Sequence, residues 1–187
     1  FNEGPIKINF YAQLAALLGK TINPKTEEQR AAGYGLIPLG LGAKLGLARF
    51  NFEFRMVPEG NFEFGYFDRS YEIERATFEL GSDNRGNIIT KSKKLGLYGP
   101  QNGFYSSLTL NLGSLFDAKM AFQSLTGEMY NDQKGIFEEA DNQSFTSVVK
   151  LRKSISKIET ANWFYQQRNV PNPFDFEYSE STITGYN

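Results

Sequence analysis

Apolar and polar side chains alternate at a period of two along almost the whole chain, and a strand is the element whose side chains have that period. In residues 6–14, Ile6, Ile8, Phe10, Ala12 and Leu14 share one parity, with Lys7, Asn9 and Gln13 on the other. Residues 36–47 place Ile37, Leu39, Leu41, Ala43, Leu45 and Leu47 on one face, against Gly40, Gly42, Lys44 and Gly46. From Phe50 the parity slips to Phe52, Phe54 and Met56, which predicts a bulge near Ala48-Arg49. Pro58-Glu59-Gly60 has turn chemistry, and Phe62, Phe64 and Tyr66 alternate after it. Residues 50–66 are therefore expected to form a hairpin.

Phe104, Ser106, Leu108, Leu110 and Leu112 form a further alternating run, which turns at Gly113-Ser114 into Phe116, Ala118, Met120 and Phe122. Three more strands are expected at Phe145–Leu151, at Ala161–Tyr165 and from Ser181 onward. Residues 81–86, 91–94, 98–103 and 124–143 are polar and rich in turn formers, so they are expected to be loops. Residues 10–19 and 24–32 carry weak helical signals without a 3.6-residue stripe. The expected fold is all-β: an antiparallel meander of about eight or more strands, forming an up-and-down barrel or part of one. It occupies a single domain over 1–187, with no internal boundary. The chain opens on Phe1 and closes on Asn187 just inside a strand-like run, so it is expected to be a piece of something longer.

Composition removes several kinds of chemistry. There is no Cys and no His among the 187 residues. Disulfides, thiolate zinc clusters, Ser-His-Asp triads and His-based metal sites are all excluded. Twenty basic residues face 21 acidic ones, so no general field for nucleic acid exists and none is expected as a partner. No stretch approaches the roughly 18 apolar residues of a membrane-spanning helix. Mean hydropathy is −0.43, yet 15% of residues are aromatic. A chain with every second residue facing an apolar phase and the others facing water would have that combination.

Two environments suit such strands: a soluble sandwich, or a barrel whose apolar face meets lipid and whose other face lines a polar lumen. Residues 6–14, 36–47 and 104–112 reach the roughly 9–11 residues that a tilted membrane strand needs. Aromatic residues sit toward the ends of runs, as an interfacial girdle requires: Tyr66, Phe67, Tyr71, Tyr105, Trp163 and Tyr165 are the candidates. Short and long connections alternate. On this strand-turn pattern, and on runs such as Phe50-Asn51-Phe52-Glu53-Phe54-Arg55 and Ser181-Thr182-Ile183-Thr184-Gly185-Tyr186, the chain resembles the porin-like β-barrels of the Gram-negative outer membrane. It departs from them at its last residue, since such barrels usually end on an aromatic and here Asn187 follows Tyr186.

The resemblance implies an outer-membrane location, with the lipid bilayer and lipopolysaccharide as surroundings. Other envelope proteins, or further strands of the same barrel, are the implied partners. It also implies passive diffusion of small polar solutes or an envelope scaffold, without a cofactor or covalent chemistry. Ile37, Leu39, Leu41, Leu45 and Leu47 are the expected lipid-facing residues. The alternative is a soluble or extracellular β-sandwich or β-barrel binding module that buries these same side chains against protein.

Among charged residues, Lys44, Asp68, Arg69, Glu72, Glu74 and Arg75 are the candidates for lining a lumen, as structural ion pairs or as a selectivity element. On a strand, Glu72 and Glu74 would stand roughly 6–7 Å apart. That spacing suits a glycosidase pair, but no His or nucleophile context supports catalysis, so no enzymatic activity and no metal are expected. Leu14 stands where the first Gly of a phosphate-binding loop should be before Gly19-Lys20-Thr21, so that likeness is a coincidence. Gly40-Leu41-Gly42 lies within an alternating run, where Gly allows a neighbouring side chain to approach. Lys91, Lys93 and Lys94 suit anionic headgroups or plain solvation. Asp83 and Asp132 lack the alternating acids of a calcium loop.

Overall fold

The alternating runs pair with one another in chain order. The computed structural model describes residues 6–68, 71–80, 86–113, 115–152, 160–175 and 182–186. Eight strands form one antiparallel meander: β1 (Ile6–Ala16), β2 (Tyr34–Leu45), β3 (Ala48–Val57), β4 (Tyr98–Leu112), β5 (Phe116–Asn131), β6 (Ile136–Leu151), β7 (Asn162–Val170) and β8 (Ile183–Tyr186). Among the described residues, β1 and β8 each pair on one side only, so the sheet is open. Two small ribbons lie outside it, Lys20–Ile22 with Gln29–Ala31 and Ala76–Leu80 with Gly86–Thr90. Two single-turn helices, α1 (Tyr71–Glu74) and α2 (Lys91–Lys94), flank the second ribbon. The weak helical signals at 10–19 and 24–32 give strand and ribbon instead.

Several local expectations are corrected. The parity slip between β2 and β3 comes from a two-residue hairpin turn, Gly46-Leu47, with Leu45 opposite Ala48 and Gly46 at φ +55°. The bulge lies instead at Pro38. Three residues of β2 are spent there against two on each neighbour, Tyr11 to Gln13 on β1 and Phe54 to Met56 on β3. Proline cannot donate to the ladder and is at home at such a bulge. The expected hairpin 50–66 does not form: β3 pairs with β4, and residues 58–68 leave the sheet. Residues 98–103 and most of 124–143 are strand rather than loop. There β5 and β6 run 16 residues each to a turn at 132–135, where Asn131 Oδ1 accepts the backbone N–H groups of Gln133 and Lys134. Lys91–Lys94 is α2, capped by Thr90, and the Lys91 side chain is buried. Of the expected turn 81–86, residues 81–85 lie outside the described residues, as does Asp83.

Cross-strand register sorts the side chains into two faces. On one face a row crosses all eight strands: Ile6, Leu45, Ala48, Leu110, Ala118, Val149, Trp163 and Tyr186. Parallel to it runs Phe10, Leu41, Phe52, Ser106, Phe122 and Phe145. Phe52, Phe104 and Phe122 form a chain of ring contacts, with centroids 6.2 and 5.9 Å apart. This apolar face is largely uncovered: Phe10 is 72% exposed, Leu14 65% and Leu39 54%. The opposite face is polar, and residues 58–68 fold back over it. Phe62 and Phe64 pack there with Ile37, Val57 and Leu125 in the principal buried apolar cluster of the described residues.

Candidate functional site

Ile37 is therefore not lipid-facing. The extra residue at the Pro38 bulge turns it onto the polar side, where it is 4% exposed beneath Phe62 and Phe64. Leu39, Leu45 and Leu47 are exposed, Leu47 at the β2–β3 turn, and Leu41 is half-buried on the apolar face. The six aromatic candidates do not form a girdle. Tyr66, Phe67 and Tyr71 cluster together off the sheet, with centroids 4.8–5.7 Å apart. Tyr105 stands on the polar face under Arg55. Tyr165 packs on Phe145 and donates to Gln167, and it shares the apolar face of β7 with Trp163.

Two buried clusters organise the polar face. The first forms because Gly40 has no side chain. A Cβ there would lie 2.4 Å from the Tyr11 ring, so glycine lets that ring settle across β2. Tyr11 Oη then donates to Glu53 Oε1 at 2.8 Å, and Arg55 Nε donates to Glu53 Oε2 at 2.7 Å. The Arg55 guanidinium lies 3.9 Å from the Tyr105 ring centroid and 4.6 Å from that of Phe64, and it also donates to Gln123. Glu53 and Arg55 compensate each other away from water, and the two rings hold the cation in place.

The second cluster latches the 58–68 segment to β7. Arg168 Nη2 reaches Glu63 Oε1 at 2.7 Å and Nη1 reaches Asp68 Oδ2 at 2.7 Å, while the backbone oxygens of Phe64 and Gly65 accept from the same guanidinium. Asn169 Nδ2 donates to Glu63 and Gln166 Nε2 to Asp68. Lys91 Nζ contacts Glu74 Oε2 at 2.7 Å, lies 4.0 Å from Glu63 and faces the Tyr66 ring. Burial pushes the Tyr66 phenol up, and the nearby Tyr71 and Glu63 add to that. Between the two clusters lies an open cavity of ≈ 270 Å³, lined by Arg55, Phe64, Asp68, Lys119, Gln166 and Arg168 among others.

The expected charged residues separate into three places. Asp68 and Glu74 join the buried latch. Glu72 and Arg75 are exposed and lie 3.7 Å apart on the surface. Because Tyr71–Glu74 is a helical turn, the strand-like spacing of Glu72 and Glu74 is absent, and Glu74 is engaged by Lys91. Lys44 stands on the polar face, opposite Arg49. Arg69 lies outside the described residues. Sequence reasoning missed Tyr11, Glu53, Glu63, Arg55 and Arg168, and Lys91, expected to be solvated or to meet anionic headgroups, is buried against Glu74. The Phe-Glu-Phe run at 62–64 has the texture of a half-exposed strand, and Gln166-Gln167-Arg168 resembles a solvated tract; only pairing across about 100 residues brings them together.

The carboxylates of both clusters are occupied by cations or amide donors, and no group of three or more potential metal ligands occurs among the described residues. What the face offers is a polar surface with two internally paired charged clusters and an open cavity between them. No protein family, curated protein or solved structure matches the chain.

Proposed function

We propose that the chain is the wall, or part of the wall, of an outer-membrane β-barrel that lets small polar solutes pass without covalent chemistry. The observation that carries this reading is the inversion of the sheet. The rows from Ile6 to Tyr186 and from Phe10 to Phe145 carry no charged residue and are exposed or half-buried, whereas Glu53, Gln123, Asn142, Gln166 and Arg168 are buried on the opposite face. A water-soluble sheet of this size hides its apolar face, while a barrel in lipid presents it. The 16-residue strands β5 and β6 exceed the roughly 9–11 residues that cross hydrocarbon. Their distal halves carry polar cross-strand pairs such as Thr126 with Asp141, as a hairpin projecting into water would. At one end of the sheet the first two connections, Gly46-Leu47 and residues 113–115, are short, and at the other end the first two, residues 17–33 and 58–97, are long. Barrels of this kind have the same asymmetry.

Detergent dependence tests this directly. The chain refolded into micelles or vesicles is expected to be monodisperse with β circular dichroism, and to aggregate on detergent removal. A folded, monodisperse chain in plain buffer would contradict the proposal.

A further inference from the structure

The polar face carries a second feature, toward the short-turn end, that neither buried cluster uses. Lys7 stands directly opposite Lys44, Lys44 opposite Arg49, Arg49 opposite Thr109, and Thr109 opposite Lys119. Basic residues thus occupy four of the five positions of one row across β1–β5, in steps of about 4.8 Å. Lys150 shares the face one pleat further on, opposite Asp117, whose carboxylate is held by Arg152. Lys7, Lys44, Arg49, Lys119 and Lys150 are exposed, and none has an ion-pair or hydrogen-bond partner among the described residues. Like charges directly opposite one another destabilise a sheet, so the row is not explained by the sheet's own stability. Nor does it reflect a basic chain, whose net charge is −1.

We propose that Lys7, Lys44, Arg49 and Lys119 form a track that binds and selects small anionic solutes bearing phosphate or carboxylate groups. The inference rests on the barrel reading for its setting. The adjacent row on the opposite face, Ile6, Leu45, Ala48, Leu110 and Ala118, is apolar at the same height. Cations on a wall backed by hydrocarbon act through a low dielectric, and their field is focused into the lumen. Rings of Lys and Arg serve anion and phosphate pores in this way. Lys119 also lines the ≈ 270 Å³ cavity, so the track leads from the short-turn end to the Arg55 and Arg168 clusters. Lysine ammoniums reach phosphate or carboxylate oxygens as point charges with rotatable donors, so the track discriminates by charge more than by shape.

Calorimetry on the intact chain in zwitterionic micelles at low ionic strength, with inorganic pyrophosphate as probe, tests the track without requiring conduction. Saturable binding is expected, and it should weaken as salt screens the row. In the Lys44→Glu, Arg49→Glu, Lys119→Glu triple variant it should fall by at least about tenfold. Lys119→Gln alone, which keeps most of the row, should weaken binding several-fold, and serves if the triple variant misfolds. Lys20→Glu, away from the row, should leave binding unchanged. No pyrophosphate binding by the wild type, or binding insensitive to the row variants, overturns the inference. Planar-bilayer conductance separates it from the barrel reading. Current without pyrophosphate binding sinks the track alone, and pyrophosphate binding without current supports the track but counts against passage.

Discussion

Arg168→Ala is expected to cost about 3–5 kcal/mol of stability, the range for removing one partner of a buried ion pair. The guanidinium serves two carboxylates and two backbone carbonyls at once. Without it, Glu63 keeps Asn169 and a long contact to Lys91, and Asp68 keeps Gln166. Amide donors hold a buried carboxylate less well than a cation does, so the segment 58–68 should lift from the sheet. Two measurements check this. Urea unfolding of the refolded chain in micelles, followed by emission from Trp163, the chain's one tryptophan, gives the free-energy loss. Glu-specific proteolysis should cut after Glu59 and Glu63 in the variant and spare them in the wild type. Adding Glu63→Gln to Arg168→Ala should restore part of the loss, because the residual buried charge is then neutral. A variant as stable and as protease-resistant as the wild type would show that the latch does not hold the segment.

Phe52→Arg should cost about 2–4 kcal/mol in vesicles, the penalty for a basic residue on the lipid face of a barrel near the bilayer midplane. Phe52 lies centrally in β3, between Leu41 and Ser106, with its ring stacked on Phe104. The same substitution on a solvated sheet face is worth only tenths of a kcal/mol beyond the lost ring contact. Asn51→Arg, one residue away on the polar face, is the matched control and should be far milder, losing chiefly the hydrogen bond to Ser107. Urea titrations of both variants refolded in phosphatidylcholine vesicles read the difference. Equal costs on the two faces would mean that the apolar face does not meet lipid.

The strand positions were legible because side-chain period is a local property: each of the eight strands contains or overlaps an alternating run. Lengths were less so. The outer halves of β5 and β6 lack a clean apolar–polar alternation, and what extends them is pairing, Tyr130 against Phe137 and Thr126 against Asp141. The hairpin expected at 50–66 failed for a definite reason. Phe62 and Phe64 keep the period of a strand, but Gly60, Asn61 and Gly65 take positive φ and carry the chain off the sheet. The burial of Ile37 was signalled by Pro38, whose effect on parity is evident once the bulge is placed there. The charged site was the least legible part. Asp68 and Glu74 stand out as part of a charged run, but Arg168 lies 100 residues on from Asp68, and Lys91, 17 residues from Glu74, falls in a segment that looks solvated. The basic row across β1–β5 likewise depends on cross-strand register, which no single segment specifies.

The central claim, that the apolar face of the sheet meets lipid, is tested most directly by fluorescence quenching. Trp163 sits in the apolar row that crosses all eight strands, and the absence of any other tryptophan makes its emission unambiguous. A second probe, Phe52→Trp in a Trp163→Phe background, places the indole mid-strand on the same face. In vesicles carrying bromine on the acyl chains, both probes should be quenched by the lipid, Phe52→Trp most strongly when the bromine is deep. Aqueous iodide should quench neither efficiently. Strong iodide quenching of both probes, with no effect of brominated lipid, would contradict the account.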